Sequence, residues 1–310
     1  MSENIYSKID QIPAGRAGDT ITEGCLVLEG GAFRGLYTQG VLDVMMENDL
    51  NFSCVIGVSA GALAGMNYVS GQIGRSARTN LRYRHDSRYV GGKALLHSHS
   101  FLDVGFLTED RGILEPFDTE RFYRSSQRYI AVATSCLTGK PTCFEKGKTL
   151  DIVQGIRASA TMPYISPMVM INGKPYLDGG CSCKIPYQWA LKQKFEKIVV
   201  IRTREPEYRK KNKVSRTAFK VYRQYPEFAQ ALAQSSIHYN YQCDEIERLN
   251  AEGRLLRIAP SEHVTVSRVE KDMEKLGALY ELGRKDCLAQ LETIRGYVGR
   301  SNAAADAGRA

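Results

Sequence analysis

CLVLEGGAFRG (25–35) and SCVIGVSAGALAG (53–65) decide how this 310-residue chain is read. In each, an apolar, strand-like run leads directly into a glycine-bearing turn and then a segment of helical composition, so strand–turn–helix occurs twice between Cys25 and Gly65. In the second turn, Gly57-Val58-Ser59-Ala60-Gly61 fits G-x-S-x-G. That pattern forces a serine into a sharp bend between strand and helix, with its hydroxyl clear of the backbone. Ser59 is therefore the candidate nucleophile. In the first turn, Gly30, Gly31, Ala32, Phe33, Arg34 and Gly35 place consecutive backbone N–H groups at the start of a helix, where the dipole favours an anion. Such a loop suits the negative oxygen that forms when a serine attacks an ester carbonyl.

Outward from this stretch, residues 36–48 read as a helix with Leu36, Val41, Leu42, Val44 and Met45 on its apolar face. The helix after Ser59 opens with Ala60, Gly61, Ala62, Ala64 and Gly65, small residues that trade helix propensity for close approach. Residues 71–118 loosen into Gly, Ser, His and basic residues around FLDVGFL (101–107), the pattern of an irregular or short helical cover over a site. YIAVATSC (129–136) and TCFE (142–145) read as strands about a turn at 139–141, and Asp151 as the N-cap of a helix ending before Met162-Pro163. MVMINGKPYLDGG (168–180) carries an Asn172-Gly173 hairpin turn and ends in Asp178-Gly179-Gly180. Helices are expected over 185–194, 216–252 and 266–298, and strands over 197–203 and 254–260. Strands alternating with helices predict an α/β fold with a mostly parallel sheet covered on both faces. In such sheets the chemistry lies beyond the carboxyl ends of strands, where Ser59 and residues 30–35 fall.

Apolar residues at 43% and charged residues at 25% suit a globular protein. The first twenty residues lack the apolar centre of a secretory signal, and no run approaches the ~18 apolar residues of a membrane-spanning helix, so a cytoplasmic protein is expected. Eight cysteines without a C-x-x-C pair read as reduced, mostly buried thiols, and His97-Ser98-His99 as a surface loop rather than a metal site. The net charge of +8 is concentrated between Arg202 and Arg223, where nine basic residues face only Glu205 and Glu207. That segment is either a solvated face or a patch for an anionic membrane, at ~1 kcal/mol per well-placed cation, with Arg209, Lys210 and Lys211 facing the lipid. No motif accompanies it that would support nucleic-acid binding. The tail 301–310 is small, polar and expected to be disordered.

A serine hydroxyl needs a base. One arrangement takes Ser59, Asp178 and then His238 or His263, the chain order of an α/β-hydrolase triad. The other uses Asp178 directly, since two following glycines leave it free of bulky neighbours. An aspartate of reference pKa ~3.9 is a weak base, so this scheme leans on a dry site and strong oxyanion donors.

EGGAFRG (29–35), GVSAG (57–61) and DGG (178–180), in this order, resemble the three signature blocks of the patatin-like phospholipase family. The resemblance covers about residues 23–203. The remainder, with EPEYRKK (205–211) and KDMEKLGALYELGRKDC (271–287), resembles the C-terminal part of bacterial members. The polar composition of 1–22 marks a leader, and the resemblance implies a three-layer α/β catalytic domain at 23–203 and a C-terminal extension at 204–300 packed on it. It also implies hydrolysis of a lipid or small ester substrate through an acyl-enzyme, with no metal or other cofactor. Ser59 would attack, Asp178 would act as base, and N–H groups of Gly30, Gly31 and Ala32 with Arg34 would hold the oxyanion. Glu29 stands where many members carry aspartate, and Ala32 where a third glycine is usual. A catalytically silent lipid- or anion-binding protein on the same scaffold is the reading from a different class.

Overall fold

The computed structural model describes residues 4–98, 101–109 and 113–299, and the side chains of His97 and Ser98 lie outside that description, as do His99 and the tail 301–310. Eight strands form the central sheet: β1 (Ile21–Leu28), β2 (Asn51–Val58), β3 (Arg128–Ser135), β4 (Pro141–Glu145), β5 (Val169–Ile171), β6 (Lys174–Asp178), β7 (Ile198–Ile201) and β8 (Leu256–Ile258). Strands β8, β7, β1, β2 and β3 are neighbours in that order and parallel. Both β4 and β6 pair antiparallel with β3, and β5 completes a hairpin with β6.

The helices that bear on the site are α1 (Gly35–Glu47), α2 (Ala60–Val69), α3 (Ile152–Ser159), α4 (Pro226–Ala251) and α5 (Met273–Gly299). Alternation along the strands divides the core in two, because successive side chains point to opposite faces. Leu26, Leu28 and Val55 join the layer under α1, α2, α3 and α5, while Cys25, Val27, Ile56 and Val58 join the layer under α4 and the helix Tyr187–Lys192. The result is a three-layer α/β fold.

The register of β3 brings two distant segments together. Val58, the last residue of β2, lies opposite Val132, and Asp178, the last residue of β6, lies opposite Ala133. Because β4 occupies one edge of β3 from Ile130 to Thr134, β2 and β6 share the other edge, and their carboxyl ends meet there. The chain turns at that junction through Gly179, where a Cβ would lie 2.1 Å from the Val132 carbonyl oxygen.

Several expected boundaries move. The helix expected over 216–252 is divided into Arg216–Val221 and α4, which starts at Pro226. Proline lacks an N–H and suits only the first helical turn. The helix expected over 266–298 begins at Met273, which leaves 266–272 as a crossing segment, and that over 185–194 shortens to Tyr187–Lys192. In the polar leader, Tyr6, Ile9, Ile12 and Ala17 are buried in the same core as α1 and α5, and Gly15–Arg16 pairs with Gln72–Ile73. Of the eight cysteines, all free, six are buried, Cys183 is half-buried and Cys143 is exposed.

Helix α5 is tied to α1 by buried polar contacts. The Tyr37 hydroxyl donates to Asp286 at 3.1 Å, and Asp43 accepts from the Tyr280 hydroxyl at 2.8 Å and the Gly74 N–H at 2.9 Å. Burial pushes the Asp43 carboxyl up to about 7. The folded chain therefore keeps a proton that the unfolded chain, at ~3.9, has released. This contribution to stability is fully present below about pH 4 and is lost as pH rises through about 7. Asp43→Asn is expected to flatten the dependence of the urea midpoint on pH across that range. An unaltered profile in the variant would show that Asp43 does not carry it.

Candidate active site

Ser59 sits between β2 and α2 with φ 55° and ψ −123°, a conformation that costs a non-glycine residue energy and persists only where its surroundings hold it. Those surroundings are specific. The Ser59 N–H donates to the Ser159 hydroxyl oxygen at 2.9 Å, and that hydroxyl donates to the Val132 carbonyl at 2.6 Å. Gly61, the second residue of α2, lets the helix pass the end of β1, since a Cβ there would lie 2.6 Å from the Leu28 carbonyl oxygen.

The Ser59 hydroxyl donates to Asp178 Oδ2 at 2.7 Å. The other carboxylate oxygen accepts from the Gly180 N–H at 2.7 Å, the Asp178 N–H donates to the Thr161 carbonyl at 2.8 Å, and the Asp178 carbonyl accepts from the Thr134 hydroxyl at 2.9 Å. Burial pushes the carboxyl above the usual aspartate range, opposed by the bonds from Ser59 and Gly180 and by the charges of Lys184 and Arg268. The histidines of the triad reading lie elsewhere. His238 is exposed on α4, and His263 is exposed with Nδ1 2.7 Å from Glu205 Oε1. Neither has a hydrogen bond to Ser59 or Asp178, which bond each other directly.

The glycine loop after β1 is held on three sides. Gly30 N–H donates to the Lys184 carbonyl at 3.2 Å, Phe33 N–H to the Arg268 carbonyl at 3.4 Å, and the Glu29 carboxylate accepts the Thr203 N–H at 2.7 Å. Gly30 therefore has no free donor for an oxyanion. Among the described residues, Gly31 and Ala32 N–H have no hydrogen-bond partner. Ala32 has φ 50°, in the left-handed region where glycine fits without strain. The Arg34 guanidinium is buried, bonded to none of the described residues, and lies near Glu29, Arg204 and Arg268.

Ser59 forms part of the wall of an apolar cleft with Phe33, Leu36, Leu63, Leu102 and Leu107. Residues of the expected 71–118 cover thus line the cleft beside the serine. The basic segment is less uniform than its sequence suggests. Arg202 is buried on Glu247 at 2.9 Å, Arg209 pairs with Asp244 at 2.8 Å, and Lys210 turns onto the Tyr239 ring at 4.2 Å. Lys211, Lys213, Arg216, Lys220 and Arg223 are exposed.

A family model described as patatin-like phospholipase matches residues 26–191, more than half of the chain. The chain belongs to the patatin-like phospholipase family. A second model, a domain of unknown function (DUF6363), matches residues 225–299, which contain α4, β8 and α5. The chain is similar to the uncharacterized protein YjjU of Escherichia coli, 31% identical over 185 residues, 57% of this chain and 51% of that protein. It is also similar to an uncharacterized NTE family protein of Mycobacterium bovis, 28% identical over 54% of this chain and 46% of that protein. The chain spans about half the length of these curated relatives. A probable lipid hydrolase, 463L of Invertebrate iridescent virus 6, is 24% identical over 87% of this chain and 90% of that protein. The crystal structure of VipD from Legionella pneumophila overlays with a TM-score of 0.46 at 14% identity, over 90% of this chain and 68% of that one. Among the described residues, no helix is long and apolar enough to cross a membrane.

The patatin-like motifs point to Ser59, the glycine loop and Asp178, but not to the groups that hold them. Ser159, Thr161, Thr134, Lys184 and Arg268 belong to no motif, and only the fold brings them to the site. Ala32→Gly exchanges left-handed strain for backbone freedom, so stability is expected to stay level or rise by up to ~1 kcal/mol. Ala32→Val, branched at Cβ, is expected to lose ~1–2 kcal/mol. Urea unfolding of the two variants checks both. Equal destabilisation by glycine and valine would contradict the left-handed assignment.

Proposed function

We propose that the protein is a serine lipid acyl hydrolase, a phospholipase- or lysophospholipase-like esterase, acting through a Ser59–Asp178 dyad. The observation that carries this reading is the 2.7 Å hydrogen bond from Ser59 Oγ to Asp178 Oδ2, made by a serine in a strained turn at the head of a helix. In the proposed reaction, Ser59 Oγ attacks the ester carbonyl carbon while its proton passes to Asp178 Oδ2. The tetrahedral oxyanion is received by the N–H groups of Gly31 and Ala32, which have no other hydrogen-bond partner among the described residues. Collapse expels the alcohol, which takes the proton from Asp178, and leaves an acyl-enzyme. Water then attacks the acyl carbon with Asp178 again accepting a proton, and Ser59 is restored. The apolar cleft beside Ser59 suits an acyl chain. Family membership and the similarity to a probable lipid hydrolase support the same reaction class.

The raised carboxyl of Asp178 fits the base role, because a base must be ionised to work and is stronger when its proton affinity is raised. Activity should fall on the acid side at a pH above the ordinary carboxylate range. Ser59→Ala and Asp178→Asn are each expected to lower hydrolysis of a short-chain nitrophenyl ester roughly a thousandfold or more. A folded Asp178→Asn variant of full activity would overturn the dyad. Purified protein that binds lipid vesicles yet hydrolyses no ester would favour the silent binding protein.

Peripheral contact with an anionic membrane is part of the same proposal. The cations suited to it are Lys211, Lys213, Arg216, Lys220 and Arg223, interspersed with exposed Val214, Phe219 and Val221, rather than Arg209, which is paired with Asp244, and Lys210, which lies on the Tyr239 ring. Replacing Lys211, Lys213 and Lys220 by Gln is expected to weaken salt-sensitive binding to phosphatidylglycerol vesicles by roughly tenfold or more. Unchanged co-sedimentation would remove this contact.

A further inference from the structure

The cleft that holds Ser59 is not apolar throughout. It is lined by α1, α2 and the helix Arg75–Tyr83. Toward the heads of α1 and α2 the lining is Leu36, Ala60 and Leu63, and one turn further along each helix it changes to Gln39 and Asn67. Arg75, Ser76, Thr79 and Asn80 line it from the third helix, at the spacing of one helical face. That helix touches α1, and Asp43, one turn past Gln39, accepts the Gly74 N–H at its head at 2.9 Å. Most of these polar groups are already engaged. Asn67 donates to the Leu63 carbonyl at 3.0 Å and accepts from Arg75 Nη1 at 2.7 Å. The other two Arg75 nitrogens donate to the Glu115 and Leu107 carbonyls. Asn80 donates to the Ser76 carbonyl and accepts the Tyr89 hydroxyl, each at 2.9 Å. Three side chains differ. Gln39, Ser76 and Thr79 are only 6%, 9% and 4% exposed. Gln39 Oε1 is buried without a donor, and neither hydroxyl has a hydrogen-bond partner among the described residues.

A plain alkyl chain packed against these three groups would strip them of water and return no hydrogen bond, the cost that any unpaired buried polar group carries. A hydroxyl on the chain removes that cost, because one such group both donates and accepts. It donates to Gln39 Oε1 and accepts from Ser76 or Thr79. A carboxylate only accepts, and so leaves Gln39 Oε1 unpaired. An ammonium would join the buried Arg75 guanidinium, whose hydrogen-bond partners are all uncharged. The unpartnered set therefore selects a neutral group with both a donor and acceptors. A site that hydrogen-bonds a substrate hydroxyl discriminates strongly against the analogue lacking it.

We propose that Gln39, Ser76 and Thr79 form a hydroxyl-binding subsite in the cleft, and that esters of hydroxylated acyl chains are preferred over esters of plain alkyl chains. The preference rests on the hydrolase reading above, whereas binding at the subsite needs no turnover. The probes are ethyl octanoate and its monohydroxy isomers, with the hydroxyl moved carbon by carbon along the acyl chain. In Ser59→Ala, calorimetry should find at least one isomer bound about tenfold or more tighter than ethyl octanoate. Adding Gln39→Met or Thr79→Val to that background should each take away most of the difference. In the wild-type chain the same isomer should show the higher kcat/KM, read as acid released above an enzyme-free control that corrects for lactonisation. Urea unfolding of Thr79→Val separates recognition from folding. A hydroxyl without an internal partner gives way to a methyl, so the midpoint should stay level or rise.

Tighter binding of a hydroxy isomer that is lost with Thr79→Val supports the subsite even where the wild-type chain hydrolyses none of the esters, a result that rejects the hydrolase alone. A lower urea midpoint in Thr79→Val would show that this hydroxyl is already bonded within the fold, and would count against the subsite. Binding of every isomer no tighter than ethyl octanoate, or a preference that survives both Gln39→Met and Thr79→Val, would overturn the proposal.

Discussion

β2 and β6 approach one edge of β3 from opposite ends and stop one residue apart, Val58 opposite Val132 and Asp178 opposite Ala133. The Ser59–Asp178 contact depends on this arrangement. Two residues separated by 119 positions in the chain meet through backbone ladders on a shared strand, rather than through the tip of a long loop. Each ladder hydrogen bond contributes only ~1 kcal/mol net, but a slip of one residue would turn Asp178 to the opposite face of the sheet. β4 holds the far edge of β3 over Ile130 to Thr134, so the strand that sets the distance is paired on both sides.

The same junction gathers the supporting groups. Val132 accepts from the Ser159 hydroxyl, which in turn receives the Ser59 N–H, so the strand opposite Ser59 also helps hold its strained backbone. Lys184 acts twice: its carbonyl receives Gly30, and its ammonium stands near Asp178. Arg268 likewise holds Phe33 through its carbonyl and presents its side chain to the cleft. The glycine loop, the aspartate turn and the segment before α5 are therefore mechanically coupled. The last of these lies outside the part matched by the patatin-like model.

Much of this was legible in the sequence because the governing rules are local. Glycines at 57 and 61, β-branched runs before turns, and Asn172-Gly173 followed by Asp178-Gly179-Gly180 each report a short-range backbone requirement. What was not legible depends on partners far along the chain. Nothing in residues 30–32 tells that Gly30 N–H is taken by Lys184, nor does the helical run ending at Ser159 announce a clamp on Ser59. A dense row of cations reads as one surface, yet Glu247 and the Tyr239 ring draw Arg202 and Lys210 inward, and Asp244 pairs with Arg209 at the surface. Likewise Tyr6, Ile9 and Ile12 are too sparse to signal a core element, but they fill space beside α5. Ala32 is a different case: the sequence shows the departure from glycine, and the left-handed φ explains what glycine relieves there.

The most direct test of the account is the identity of the residue that becomes covalently modified. Peptide mapping by mass spectrometry after reaction with a fluorophosphonate ester should find a single adduct on Ser59 in the wild-type chain and strongly slowed modification in folded Asp178→Asn. An adduct on a different residue, or Ser59 modified at the wild-type rate without the Asp178 carboxylate, would contradict it.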